Sequence, residues 1–310
     1  LAAASARAEY PDRPIQAIVP FAPGGPSDVI SRIVATGMSK DLGQPIVIQN
    51  KPGAGGNLGM GQAALSAPDG YTLLLCSVAT TQNPAVYRNM PYDPLKDLVA
   101  VAIVGESPTM IGVSAKNIKA QSLREFIDLV KASPGKYNIA GAGGQRMTME
   151  KFMLTFGLKM EVINYQSGGD AANALMKGEV DLQLNNATTL TAGAQNGTIR
   201  LLAVAGGQRL KTFPDLPTTA ELGFPEYVDK AHVGLYVPAG TPPAIIARLH
   251  EAANRALAMA DVDQRLRGLD YFAAPTSQQQ AQDFYINEIL RWKDVAAKAK
   301  DRKSTRLNSS

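Results

Sequence analysis

The side chains that most often carry catalysis or bind metals are scarce in this chain. Its 310 residues hold one cysteine, Cys76, and two histidines, His232 and His250. A single thiol excludes an internal disulfide and a thiolate cage, and two imidazoles leave almost no material for a histidine metal site. GxSxG, HExxH, CxxC and GxxxxGK are all absent. Cys76 lies inside the apolar run 71–77 and reads as an inert core thiol. His250, beside Arg248 and Glu251 in a helical stretch, reads as a packed or solvated side chain. Gly59-Met60-Gly61-Gln62-Ala63-Ala64 fits the loose GxGxxA fingerprint, but it follows glycine-rich coil instead of the strand that dinucleotide binding requires. Asn196-Gly197-Thr198 is formally a glycosylation sequon. No cofactor and no metal are expected.

What remains is chemistry of the main chain. Phe21-Ala22-Pro23-Gly24-Gly25-Pro26-Ser27-Asp28 joins an extended run to an amphipathic one. Glycines there allow a tight turn that aims N–H groups at an anion, and the helix dipole adds to the attraction. Ala140-Gly141-Ala142-Gly143-Gly144-Gln145-Arg146 and Tyr165-Gln166-Ser167-Gly168-Gly169-Asp170 repeat that logic. Each loop could equally be glycine-rich only to turn the chain. Three of them, in a chain with no catalytic set, favour anion capture at the C-terminal ends of strands.

The elements that must position these loops follow an alternating rhythm. Segments 14–21, 45–49 and 71–77 read as strands. Between the first two, Val29, Ile30, Ile33, Val34 and Met38 recur at helical spacing, with Ser27 as N-cap and Asp28 at the positive end of the dipole. The rhythm restarts with strands at 111–113, 137–140, 162–165, 180–184 and 201–205. Helices fit 123–132, 148–156, 170–177 and a short stretch near Leu190. A strand at 234–237 precedes helices over 244–259 and 279–298, the latter carrying Phe284, Ile289 and Trp292. This predicts an α/β protein of two parts with largely parallel sheets.

Composition agrees: apolar residues make up 45% and charged residues 19%, enough for a substantial core. The net charge of +4 is a property of the ends. Without Arg7 in 1–8, and without Arg302, Lys303, Arg306 and Asp301 in 301–310, 27 basic residues face 26 acidic ones. No basic stripe interleaved with aromatics is present, so nucleic acid is not an expected partner. Residues 1–8 end in Ala6-Arg7-Ala8, the small-x-small pattern of a signal-peptidase site, and read as a signal-peptide remnant or as an alanine-rich terminus. No stretch approaches the length of a membrane span. Residues 303–310, Lys-Ser-Thr-Arg-Leu-Asn-Ser-Ser, have no apolar periodicity and are set aside as a non-native or disordered tail.

Several motifs in order carry a family resemblance. They are Tyr10-Pro11-Asp12-Arg13-Pro14-Ile15, Val19-Pro20-Phe21-Ala22-Pro23-Gly24-Gly25-Pro26-Ser27-Asp28 and Asn50-Lys51-Pro52-Gly53-Ala54-Gly55-Gly56. Pro68-Asp69-Gly70-Tyr71-Thr72-Leu73, Pro91-Tyr92-Asp93-Pro94 and Gly178-Glu179-Val180-Asp181 follow. Leu216-Pro217-Thr218-Thr219-Ala220-Glu221-Leu222-Gly223 and Pro238-Ala239-Gly240-Thr241-Pro242 complete the series. From about Tyr10 to about Lys300 the chain resembles the Bug family, the receptors of tripartite tricarboxylate transporters.

The resemblance implies a two-lobed periplasmic binding protein of type II-like fold, hinged on two crossover strands, with a small carboxylate in the cleft. Lobe 1 would comprise 9–108 and 233–302, and lobe 2 would comprise 109–232. Matching positions assign ligand contacts to Phe21, Ala22, Gly24, Gly25, Ser27 and Asp28, with Asp28 in a supporting role. Ser77, Thr80, Gln82 and Asn83 would line the same side. Gly143, Gly144, Gln145, Arg146, Tyr165, Gly168, Gly169 and Asn185 would close from the second lobe, Asn186 beside the last of them. Two departures bear on the ligand: Gly143-Gly144-Gln145-Arg146 replaces Gly-Asn-Gly-Ser/Thr, and His232 stands where an aromatic is usual. The implied protein is a monomeric, exported periplasmic receptor that delivers a mono- or dicarboxylate, possibly aromatic, to transporter membrane components. The alternatives are a ligand-sensing subunit for a membrane histidine kinase, or an enzyme on the same fold with Asp28 or Asp170 as general base.

Overall fold

The computed structural model describes residues 10–142, 145–165 and 167–307. The signal-peptide reading of 1–8, the glycines Gly143 and Gly144, Gln166 and the last residues of the tail lie outside them.

Chain order runs β1 (Ile15–Val19), α1 (Pro26–Leu42), β2 (Ile46–Asn50), α2 (Asn57–Ala64), β3 (Thr72–Ser77), α3 (Ala79–Val86) and β4 (Leu98–Pro108). It continues with β5 (Met110–Ser114), α4 (Leu123–Ala132), β6 (Asn138–Ala142), α5 (Arg146–Thr155), β7 (Glu161–Tyr165), α6 (Gly168–Lys177), β8 (Leu182–Asn185), α7 (Ala187–Gln195) and β9 (Ile199–Val204). β10 (Lys230–Pro238), α8 (Pro243–Leu257), α9 (Ala260–Arg267) and α10 (Gln278–Leu307) complete it. The α/β class and the alternation follow the sequence reading. Three elements were not foreseen: β4, α3 and α9. Ser27, expected as the N-cap, lies instead inside α1, which begins at Pro26 with Gly25 as N-cap, because proline's fixed φ suits the first helical position.

The chain forms two compact units. One holds the residues up to Glu106 together with His232–Ile289, and the other holds Ser107–Ala231 together with the chain from Leu290 on. The sequence reading had placed 290–302 in the first lobe and set 303–310 aside. In the structure α10 continues to Leu307, and its second half belongs to the second unit, where the Trp292 ring lies 5.7 Å from Lys151 Nζ.

Each unit is built on one five-stranded sheet flanked by helices. The first has the order β2-β1-β3-β10-β4, and the second β7-β6-β8-β5-β9. β2, β1 and β3 are parallel, as are β7, β6 and β8. β10 runs antiparallel to β3, and β5 runs antiparallel to β8 and β9. A parallel neighbour requires a crossover connection, usually a helix. β5 follows β4 after Thr109 alone, and β10 likewise begins in one unit and ends in the other, so neither is bound to the parallel sense.

Within the first unit Ile18, Leu74, Tyr236, Tyr285 and Ile289 form a buried core. Gly37 lets α1 approach α8, since a Cβ there would stand 2.9 Å from that of Ala256. The outer edge of β4 is closed by side chains: Gln282 accepts from Ala100 N at 2.7 Å, and Gln278 donates to Ala100 O at 3.0 Å. His250, read as a packed or solvated histidine, is half-buried with Nδ1 2.8 Å from Val101 O. The second unit's core gathers Phe126, Phe152, Phe156, Leu182 and Tyr227. Its α4 starts with a reciprocal cap, in which Ser122 Oγ accepts from Glu125 N and Glu125 Oε2 accepts from Gln121 N.

Candidate anion-binding site

In a parallel sheet every strand feeds a helix at its C-terminal edge, so helix N-termini gather there. In the first unit that edge holds the β1–α1 loop beside the ends of β2 and β3. Gly24 turns the loop with φ +83°, a conformation that glycine adopts without strain. Asp28, in the first turn of α1, is buried and faces inward. Its Oδ2 accepts from Gly24 N and from Arg32 Nε, each at 2.9 Å, and its Oδ1 accepts from Asn50 Nδ2 at 2.8 Å. The same Asn50 amide donates to Phe21 O at 2.9 Å, and Arg32 Nη2 donates to Asn50 Oδ1 at 3.0 Å. Burial raises the Asp28 pKa, but the bonds from Arg32, Gly24 and Asn50 outweigh it and hold the carboxyl at about 2.

This arrangement bears on what Asp28 can do chemically. A carboxylate held that low and fully hydrogen-bonded is a poor general base at neutral pH. Its charge is spent on Arg32 and on the loop. The backbone N–H groups of Gly25, Ser27 and Asp28 have no acceptor among the described residues. The Ser27 hydroxyl is buried beside them and likewise has no partner. Three amides without an acceptor therefore stand in the first turn of α1, at the positive end of its dipole.

The segment after β3 divides. Thr80 Oγ1 donates to Ser77 O and lies 3.1 Å from Tyr236 Oη, and Asn83 Nδ2 donates to Gly55 O and Asn57 Oδ1. Both side chains hold neighbouring loops in place. Gln82 is buried. His232 is completely buried, with its ring edge-on to Phe284 at 5.0 Å. Cys76 is buried, and that burial pushes its thiol up to about 12, the inert state expected from the sequence.

The second unit repeats the plan on its own edge. β6, β7 and β8 feed α5, α6 and α7, so Gln145, Arg146, Tyr165, Gly168, Gly169 and Asn185 come together at the ends of three adjacent parallel strands. Gln145 Nε2 donates to Leu184 O. Arg146 is exposed and makes no hydrogen bond or ion pair among the described residues. Glu150, four residues on, is buried. Ser167 caps α6 by accepting from Asp170 N, and its hydroxyl donates to Asp170 Oδ2 at 2.7 Å, so Asp170 is committed to the cap. Asn185 Oδ1 accepts from Asn186 N, while its Nδ2 is buried without an acceptor among the described residues. A Cβ on Gly168 would stand 2.6 Å from that nitrogen. Asn186 caps α7 through Thr189 N.

Arg32 and Asn50 were not among the predicted site residues. The Asp28–Arg32 spacing of four on one helix was a visible signal. Asn50 reaches the loop only through the β1–β2 register, which pairs it with Val19. No cluster of His, Cys, Asp or Glu among the described residues could hold a metal ion, and no helix among them is long and apolar enough to cross a membrane. The GxGxxA stretch lies wholly within α2, where a Cβ on Gly59 would stand 2.6 Å from Lys51 O, so that glycine serves packing.

Two α/β units joined by strands that pass from one to the other, each with helix N-termini on one sheet edge, define a fold of the periplasmic-binding-protein class. The chain belongs to the tripartite tricarboxylate transporter family receptors (TctC), whose family model matches residues 30–300. BugT of Bordetella pertussis is 37% identical over 292 residues, covering 92% of this chain and 89% of that protein. Among solved structures, MatC from Rhodopseudomonas palustris with bound malate is 32% identical, with TM-score 0.75 over 93% of this chain and 100% of that one. An R. palustris protein solved with adipate is 28% identical, with TM-score 0.78 over 94% and 98% of the two chains.

Proposed function

We propose that this protein is a periplasmic receptor that captures a small mono- or dicarboxylate and hands it to the membrane components of a tripartite tricarboxylate-type transporter. It works by binding, without chemical conversion of the ligand. The observation that carries this reading is the β1–α1 loop, where the amides of Gly25, Ser27 and Asp28 lack an acceptor while the nearby acid is turned inward and paired with Arg32. A ligand carboxylate supplies the acceptor that this cluster of donors lacks, and charge-assisted bonds of that kind are the stronger ones. The malate and adipate held by two relatives belong to this ligand class. The family's description as a tripartite tricarboxylate transporter receptor supports delivery to a transporter and residence in the periplasm.

A thermal-shift screen against small carboxylates tests the reading. A ligand at about 100 times its dissociation constant stabilises the folded state by roughly 2.7 kcal/mol. If every carboxylate failed while a sugar or an amine gave a clear shift, the reading would fall.

A further inference from the structure

The chain passes between its two units at Glu106/Ser107, Ala231/His232 and Ile289/Leu290. Just inside the second unit, one buried side chain touches the second and third passages and reaches the first through Asp229. Lys151, on α5, has its ammonium on Val228 O and 3.4 Å from Asp229 Oδ1, immediately before β10. Asp229 Oδ2 in turn accepts from Thr109 Oγ1 at 2.7 Å, at the junction of β4 and β5. The Trp292 ring, just after the third passage, lies 5.7 Å from Lys151 Nζ, and the Tyr227 ring lies 5.3 Å from it. The main chain closes the knot: Thr109 N donates to Asp229 O, Asp229 N to Ala205 O, and Ala205 N to Thr109 O.

A lysine–aspartate pair this deeply buried is weak evidence of stabilisation, because desolvation offsets much of the attraction. A buried cation bonded to the second passage, stacked on the third and linked to the first through Asp229 is better read as a device that ties these segments to α5. We propose that Lys151 couples α5, the helix that starts at Arg146 on the candidate binding edge, to all three segments that join the units. The joint and the start of α5 then form one cooperative network. If the protein is the receptor proposed above, ligand affinity depends on a residue that never touches the ligand.

The decisive experiment needs no ligand. Backbone hydrogen exchange is measured at Thr109, Ala205 and Asp229 in the full chain, its Lys151→Met and Thr109→Val variants and the double variant. Loss of one hydrogen-bonded anchor should accelerate these amides by roughly two- to tenfold in Lys151→Met. Thr109→Val should raise acrylamide quenching of Trp292, the chain's one tryptophan, although it removes only a hydroxyl on the far side of Asp229. The double variant should be no worse than Lys151→Met, because both cut the same network. Lys177→Met, at a surface lysine, serves as the control and should change nothing. Should Lys151→Met not fold, Asp229→Asn reads the same amides. Wild-type exchange in a folded Lys151 or Asp229 variant, an unchanged Trp292 in Thr109→Val, or multiplying effects in the double variant would overturn the proposal. A failed carboxylate screen would count against the receptor reading alone, since none of these measurements uses a ligand.

Discussion

Asn50 and Asp28 meet through a hydrogen bond of 2.8 Å, Nδ2 to Oδ1, and the same amide holds the Phe21 carbonyl at 2.9 Å. One side chain at the end of β2 thus sets both the acid that is turned inward and the backbone that carries the free amides. Asn50→Ala should leave a carboxylate oxygen and a carbonyl short of a donor, at a cost of about 1–3 kcal/mol. Urea denaturation should show a lower midpoint with an unchanged slope. Carboxylate affinity should fall as well, although Asn50 is not assigned to the ligand.

The low pKa of Asp28 makes a prediction with a definite sign. An aspartate unperturbed near 3.9 when unfolded and held at about 2 when folded contributes stability in full above the unfolded value. That contribution, on the order of 2–3 kcal/mol, is lost as pH falls through the folded value. The stability difference between wild type and Asp28→Asn should therefore be flat above about pH 5 and close between about pH 4 and 2. A difference that stayed constant across that window would mean that Asp28 is not held in its ionised form.

Arg146 stands at the first position of α5, exposed and without an ion pair among the described residues. The alternative of an i,i+4 pair with Glu150 is not formed. Charge-assisted bonds contribute about 1.5–3 kcal/mol, so Arg146→Ala should cost a dicarboxylate roughly ten- to a hundredfold in affinity. A matched monocarboxylate should barely respond. Calorimetric titration with succinate and butyrate compares the two. Equal losses would remove Arg146 from any role in selectivity.

Gly168 carries a steric prediction. An added Cβ would meet Asn185 Nδ2 at 2.6 Å, so Gly168→Ala must push that buried amide aside. The helix itself tolerates alanine better than glycine. Thermal stability should change by less than about 1 kcal/mol while carboxylate affinity drops. Unaltered affinity would show that Asn185 serves packing only.

Much of the fold was legible because local signals agreed with one another. α4 was read to the residue, since Ser122 and Glu125 mark its start and Leu123, Phe126, Ile127 and Val130 keep helical spacing. β4 escaped because its first seven residues, 98–104, are a continuous apolar run without alternation, and its edge is covered by glutamines 178 and 182 residues further on. The family motifs carried the identification, yet many of them serve structure. Tyr10 Oη donates to Gly70 O at 2.6 Å and Tyr71 Oη to Asp12 Oδ1 at 2.5 Å, so two motifs far apart in sequence simply hold each other. The candidate site was legible as loops and helix starts. Its wiring was not, because the bond from Asn50 to Asp28 depends on strand register, which no local pattern encodes.

The most direct measurement of the central claim compares wild type with Gly25→Val. Gly25 has extended backbone, φ −74° and ψ 164°, and an added Cβ would meet only Ala22 O, at 3.7 Å. The Cβ of a valine there clears the fold, and its branched side chain should crowd an anion resting on the loop amides. The melting temperatures of the two proteins without ligand should agree closely. Every small carboxylate that stabilises wild type should bind the variant more weakly. Equal carboxylate binding by a folded Gly25→Val variant would contradict the account and make the loop purely structural.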